Sequence, residues 1–256
     1  MEAMNALNHF LRWIHVIAGI MWIGLLFFFN FVNGPFAATM DGPTKKAVVP
    51  ELMPRALYWF RMGAAWTWIT GVLLLFMVFY HGGIMFDDSS RIWGMGTFIS
   101  LGFVFGGVFI YDFLMMSTLF GDQKIKNSVG FVVVALLLII MDSVGFSARS
   151  YMIHIGTLFG TIMAYNVWFR IWPAQQQIIT AIKNGEAPAA DLPALAGLRS
   201  KHNTYLSVPL VWTMLNQHTA SVTLGAPQYV VLLVVILLGW HIVWQFYRKA
   251  GTIKGF

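Results

Sequence analysis

Histidine, aspartate and asparagine side chains set inside long apolar runs are the residues of this sequence that can do chemistry. His154 stands in YMIHIGTLFGTIMAYNVWFRIWPAQ, a run from Tyr151 to Gln175 that also carries Asn166. His15 stands in LRWIHVIAGIMWIGLLFFFNFVN, and His218 near the end of NTYLSVPLVWTMLNQHTAS. A polar group within a membrane span costs free energy unless something pairs with it, so each one marks a candidate site. Imidazole offers a lone pair to a metal and a proton that titrates near neutrality. Three histidines on three helices at one depth would suit an intramembrane haem b or a metal, because haem iron takes imidazole ligands from facing helices.

The elements that must position these residues follow from composition. The chain has 256 residues, 58% hydrophobic and 10% charged, well below the roughly 25% charged residues of an average soluble domain. It reads as one all-α integral membrane domain. Apolar runs near the spanning length of about 20 residues fall at 10–33, 58–80, 93–119, 128–147, 151–172, 204–221 and 228–247, with a cytoplasmic segment over 173–203. With the N-terminus outside, every Lys and Arg except Arg12, Arg91 and Arg149 falls on the inner side. That bias predicts seven spans and a cytoplasmic C-terminus. The net charge of +6 is therefore a matter of membrane sidedness and not of nucleic-acid binding.

Between the spans, 34–55 reads as a surface loop, AQQQIITAIKNG as a short interfacial helix stopped at Gly185, and EAPAADLPALAGLRSK as a connector. The very short link between the fourth and fifth spans predicts antiparallel neighbours. Gly102-x3-Gly106 and the Gly156, Gly160, Ala164 stripe predict close helix contacts. Pro209 predicts a kink.

Several chemistries are excluded. The sequence has no cysteine, which removes disulfides, thiolate metal sites, iron–sulfur clusters and the CxxCH attachment of a c-type haem. No HExxH, ExxH or P-loop pattern occurs, and no Glu lies within a span, so a ferritin-like di-metal site is out. No internal repeat of the transporter kind is visible. MEAMNALNHF lacks the basic start and cleavage site of a removable signal.

Depth sorts the polar residues further. His15 lies about five residues into its span and His154 about three, so their predicted depths agree to within about one turn. His218 lies close to the outer end of its own span. Arg12 and Arg149 sit at the outer rim, where a guanidinium can meet a haem propionate bidentately or simply anchor the helix. Asp142, at similar depth, can orient a histidine or pair with Arg149. Asp112 lies toward the inner side, suited to proton transfer or to snorkelling. His9 and His81 read as interfacial residues, and His241 as structural or one end of an inner site.

The stretches HVIAGIMWIG from His15, HIGTLFGTIMAYNVWFRIWPAQ from His154 and KHNTYLSVPLVWTMLNQH from Lys201 resemble, in that order, the membrane part of the cytochrome-c-linked urate hydroxylases, the urate oxidase N-terminal family. The resemblance extends over most of the chain. It marks His15, Asp112, His154, Asn166, His202, Asn203 and His218 as the matching polar residues. It implies a bacterial inner-membrane oxidoreductase that oxidises urate and passes electrons to cytochrome c. In the full-length family a cytochrome c domain follows the membrane part. This sequence has no CxxCH, so the expected acceptor is a separate cytochrome c. The family's first loop is longer and carries a His-Gly-Gly segment, whereas 34–55 here has no His.

The leading expectation is thus a redox membrane protein in which two of His15, His154 and His218 bind haem b. It would move electrons from a small reductant or quinol to a separate cytochrome c or a partner complex, as one subunit of a hetero-oligomer in the lipid bilayer. Asn166, His202 and Asn203, on the inner side, would form a second polar site for substrate or protons. A cofactor-free assembly subunit, with the histidines as interhelical hydrogen-bond glue, and a small-anion transporter are the rival expectations.

Overall fold

A computed structural model describes residues 2–86, 93–216 and 225–253. Seven continuous helices make up almost all of them: α1 (Glu2–Thr39), α2 (Gly42–His81), α3 (Met95–Met116), α4 (Gln123–Val144), α5 (Ala148–Asn184), α6 (Asp191–Asn216) and α7 (Gln228–Ala250). Six of these, all but α6, are long and apolar enough to cross a membrane, which makes the chain a multi-pass membrane protein. Trp13, Ile20, Phe109, Phe113, Leu215 and Leu238 are among the large apolar side chains left exposed, as lipid-facing positions are. The predicted sixth span, 204–221, runs in α6 as far as Asn216, and 217–221 lie outside the described residues. The first half of α6 is the polar stretch DLPALAGLRSKHN.

Among the described residues, three helices contain a π-helical segment, in which each N–H reaches back five residues: Phe28–Asn33 in α1, Leu75–His81 at the end of α2, and Asn166–Ile171 in α5. The last of these joins the expected span 151–172 to the segment that follows it. Trp172 N–H bonds the carbonyl of Val167, and the proline follows in the first turn of the resumed α-helix, where a missing N–H is tolerated. Span five and the expected interfacial helix are therefore one helix. It ends at Gly185, as expected, where φ is 79° and glycine is favoured.

The expected surface loop over 34–55 is also helical, with a break only at Met40 and Asp41. Asp41 caps the start of α2: Thr44 N–H donates to its Oδ1 at 2.9 Å and Lys45 N–H to its carbonyl at 3.0 Å. Asp followed by Gly-Pro-Thr is a helix-start pattern, so the signal was in the sequence. The connector after Gly185 is likewise shorter than expected, since α6 begins at Asp191.

The fold divides into two compact units, one of residues 1–71, 163–208 and 239–256, the other of 72–162 and 209–238. In the first, α1 buries Ala18, Trp22 and Leu26 along one stripe, and α2 buries Leu57, Phe60, Gly63 and Ala64. Gly63 brings the backbones together, because a Cβ there would lie 3.1 Å from Trp22 N and 3.2 Å from Ala18 O. In the second, Gly145 turns α4 into α5 with φ 79°, and Tyr151 Oη donates to the carbonyl of Leu138 at 2.9 Å. The expected antiparallel pair is real. Gly156 meets α6 as closely as the small-residue stripe implied, a Cβ there colliding with Thr213 Oγ1. Gly102 and Gly106 do not: a Cβ at either finds nothing within 4 Å.

Gly156→Val should accordingly push α6 away and lower thermal stability by about 1–3 kcal/mol, the usual cost of overpacking. Gly102→Ala and Gly106→Ala should be neutral, or more stable by up to about 1 kcal/mol through helix propensity. Thermal unfolding in detergent compares the three.

Candidate functional site

In the first unit, His15 is half-buried between α1 and α2. Its Nδ1 lies 2.9 Å from the carbonyl of Thr67 and 3.1 Å from Thr70 Oγ1. Thr70 Oγ1 is itself 2.6 Å from the carbonyl of Trp66, where its proton belongs. A carbonyl only accepts, so the imidazole proton sits on Nδ1 and the lone pair on Nε2. That tautomer, oriented by a backbone carbonyl, is the one a metal-ligating histidine uses. Gly71 makes room for it: a Cβ there would lie 3.0 Å from His15 Cε1. Arg12, one turn earlier, donates from Nε to Asn8 Oδ1 at 2.7 Å.

The same unit holds a cluster of buried polar side chains where α5 meets α6. Asn166, the first residue of its π segment, donates from Nδ2 to Asn203 Oδ1 at 2.8 Å. Asn203 donates from Nδ2 to the carbonyl of Met163 at 2.9 Å. Arg199 Nη1 lies 3.5 Å from Asn166 Oδ1. Asn166, Arg199 and Asn203 are all 0% exposed, which brings together two residues expected at an inner polar site and adds a guanidinium. His202, next to Asn203 in the chain, is held to a pKa of about 4, first by burial and then by the charges of Arg199 and Lys201. It is neutral at physiological pH.

A second knot lies on the same helix. Asn30, in the π segment of α1, donates from Nδ2 to Ser200 Oγ at 2.8 Å and to the carbonyl of Leu26 at 2.9 Å. It accepts at Oδ1 from Tyr247 Oη at 2.8 Å. The Arg61 guanidinium stacks 3.5 Å from the ring centroid of Trp172.

In the second unit, His154 is 0% exposed. Its Nδ1 lies 2.6 Å from the carbonyl of Ser150 and its Nε2 3.0 Å from Tyr80 Oη. Tyr80 Oη is also 3.1 Å from Ser100 Oγ. Phe146 stacks on the imidazole with centroids 5.5 Å apart, and Phe79 meets it edge-on. Ser147 fixes the wall: its Oγ donates to the carbonyl of Ile84 at 2.9 Å and its N–H to Met85 O at 3.1 Å.

The other expected residues are more dispersed. Asp112 is buried on α3, whereas Asp142 and Arg149 are exposed near the α4–α5 turn. His9, His81 and His241 are exposed, His241 sharing a hydrogen bond with Gln245. His218 lies outside the described residues. Among the described residues no three His, Asp or Glu side chains converge as a metal site would need. For a haem iron, His15 offers the right donor, with Nδ1–H anchored. His154 has the right Nδ1 anchor, but Tyr80 holds its Nε2.

Sequence reasoning missed Tyr80, Ser100, Asn30 and Tyr247, and took Arg199 only as an inner-side charge. Asn30 was findable, since it interrupts the apolar run FFFNF. Tyr80 was not, because nothing in its neighbourhood names a partner 74 positions away.

The helices and buried polar clusters define an all-α multi-pass membrane protein with His15 and His154 on helices long and apolar enough to span. The urate oxidase N-terminal family matches residues 36–254, and the chain belongs to that family. The match includes Asp112, His154, Asn166, Arg199, His202 and Asn203, whereas Arg12, His15 and Asn30 precede it. No curated protein and no solved structure matches the chain.

Asn203→Ala removes the acceptor of the Asn166 amide and should cost about 1–3 kcal/mol, the price of a buried donor left unmade. His241→Ala, an exposed change, should stay within about 0.5 kcal/mol. Unfolding midpoints measured side by side check both.

Proposed function

We propose that this chain is a redox protein of the bacterial inner membrane with seven spans, N-terminus outside, and that it binds a b-type haem through two of His15, His154 and His218. Electrons pass from a small reductant, urate by family relationship, or from quinol, to a separate cytochrome c or a partner redox subunit. The observation that carries the haem reading is His15: Nδ1–H on the Thr67 carbonyl, Nε2 left as a lone-pair donor, and Gly71 clearing the ring. Family membership supports the oxidoreductase class and the urate relationship.

The residues divide the work. His15 would hold iron, with Thr67 keeping it in the donating tautomer. Arg12 and Arg149 would serve the propionates of a bound haem. The cluster of Asn166, Asn203, Arg199 and His202 fixes a substrate or a proton path on the inner side, with Asp112 a further proton-carrying group. Haem supplies one-electron transfer at a potential set by its axial ligands.

A second reading has its own observation. Both nitrogens of His154 already have protein partners, Ser150 and Tyr80, as expected of a cofactor-free subunit whose histidines hold helices together. Such bonds average about 0.6 kcal/mol each in membrane proteins.

A reduced-minus-oxidised visible spectrum with pyridine haemochrome extraction separates the two. A b-type spectrum at a fixed ratio to protein is the expected result, and colourless protein free of metal would overturn the haem reading. His15→Ala should abolish the spectrum or convert it to another ligand state. Gly71→Ala, which crowds the imidazole without removing it, should keep haem but shift its bands.

A further inference from the structure

Arg61 closes the polar end of the apolar stretch of α2. No Asp, Glu, Lys or Arg lies between it and Asp87. On α5 the uncharged stretch that follows Arg149 ends in the same way at Arg170, with Trp168 and Trp172 on either side. A charge at such a boundary belongs where hydrocarbon gives way to headgroups. Both segments lie in the first unit, and there they meet. The Arg61 guanidinium stacks 3.5 Å from the ring centroid of Trp172 and lies 5.5 Å from that of Trp168.

A guanidinium stacked on an indole has its face occupied and its edge available to donate. Nε uses its N–H on the carbonyl of Leu57, at 3.2 Å and one turn toward the start of the helix. That bond draws the side chain back from the apolar stretch, as in a snorkelling arginine. The N–H groups on Nη1 and Nη2 remain, and among the described residues neither a carboxylate nor a second carbonyl meets them. Arg61 is half-buried, so this edge is within reach from outside the bundle. Around it stand large side chains left exposed: Tyr58, Trp59 and Trp66 on α2, and Phe169 on α5. Aromatic rings at the end of an apolar stretch form the belt at the headgroup level of a bilayer. The oxyanion carried at that depth is a phospholipid phosphate.

We propose that Arg61, held in place by Trp172, binds the phosphate of an anionic phospholipid, in the cytoplasmic leaflet for the orientation given above. The Nη N–H groups donate to the phosphate oxygens, for which the planar guanidinium is well shaped. A zwitterionic headgroup carries its own ammonium, which cancels part of the attraction, so a headgroup with net negative charge is favoured. The proposal is independent of the haem reading.

The test is a lipid titration of the full-length protein, purified in detergent and delipidated. Dioleoyl phosphatidylglycerol, dioleoyl phosphatidylcholine and inorganic phosphate are the separate probes. Native mass spectrometry reads the first lipid adduct, and the thermal midpoint reads protection by each probe. Phosphatidylglycerol should bind more tightly than phosphatidylcholine. Arg61→Ala should weaken it about five- to tenfold, the effect of one cation at a bilayer surface. Arg61→Lys keeps the charge but not the flat stacked face, and should weaken it less. Trp172→Leu leaves the guanidinium and removes its platform, and should weaken it too. Arg55→Ala, whose guanidinium pairs with Glu51 at 2.7 Å, should leave it unchanged. Equal binding by the unaltered protein, Arg61→Lys and Trp172→Leu would overturn the proposal. So would an equal loss in Arg55→Ala, the mark of a diffuse basic surface. Protection by inorganic phosphate at the same concentration would assign the site to a soluble anion and overturn the lipid.

Discussion

A polar side chain buried in an apolar helix bundle has no water to turn to, and this constraint orders the rest of the structure. Each buried polar group must find its partner on another helix or on its own backbone. His154, Asn166, Arg199 and Asn203 are all 0% exposed. The bonds that satisfy them run between α2 and α5 for His154, and between α5 and α6 for Asn166 and Asn203. Each such bond adds modestly to stability, but leaving a buried donor or acceptor unmade costs more than making it gains. The polar residues therefore act chiefly as a test of register. A helix displaced by one position loses them.

Three π segments supply much of the required geometry. Each holds one extra residue per turn, and each carries a side chain that reaches another helix: Asn30 to Ser200, Tyr80 to His154, Asn166 to Asn203. Widening a turn re-aims a side chain without breaking the helix, and such turns recur at functional sites. Two of the three serve α6, where Arg199, Ser200 and Asn203 follow one another within about one turn. That concentration on one helix makes the polar cluster between α5 and α6 more than a set of residues meeting water.

His15 and His154 share one feature and differ in another. Each is held at Nδ1 by a backbone carbonyl, Thr67 for His15 and Ser150 for His154. They part at Nε2. His154 meets the hydroxyl of Tyr80 there and is walled by Phe79 and Phe146, whereas His15 lies half-buried beside Gly71. A shared anchor with different surroundings thus leaves the two Nε2 atoms in different environments.

Hydropathy and punctuation were legible in the sequence by itself. The apolar runs, the stop at Gly185 and the short α4–α5 turn follow from the composition of single windows, because partition into a bilayer and helix termination are local properties. His154 and Asn166 were legible too, as costly residues in apolar runs. The tertiary structure decided the rest. Gly156 and Gly102 open identical-looking patterns, yet only Gly156 faces a neighbouring helix. Tyr80 and Ser100 carry no local sign of their role. Their meaning lies in a histidine on another helix, and which helix faces which is settled by packing across the whole chain, beyond the reach of any window of sequence.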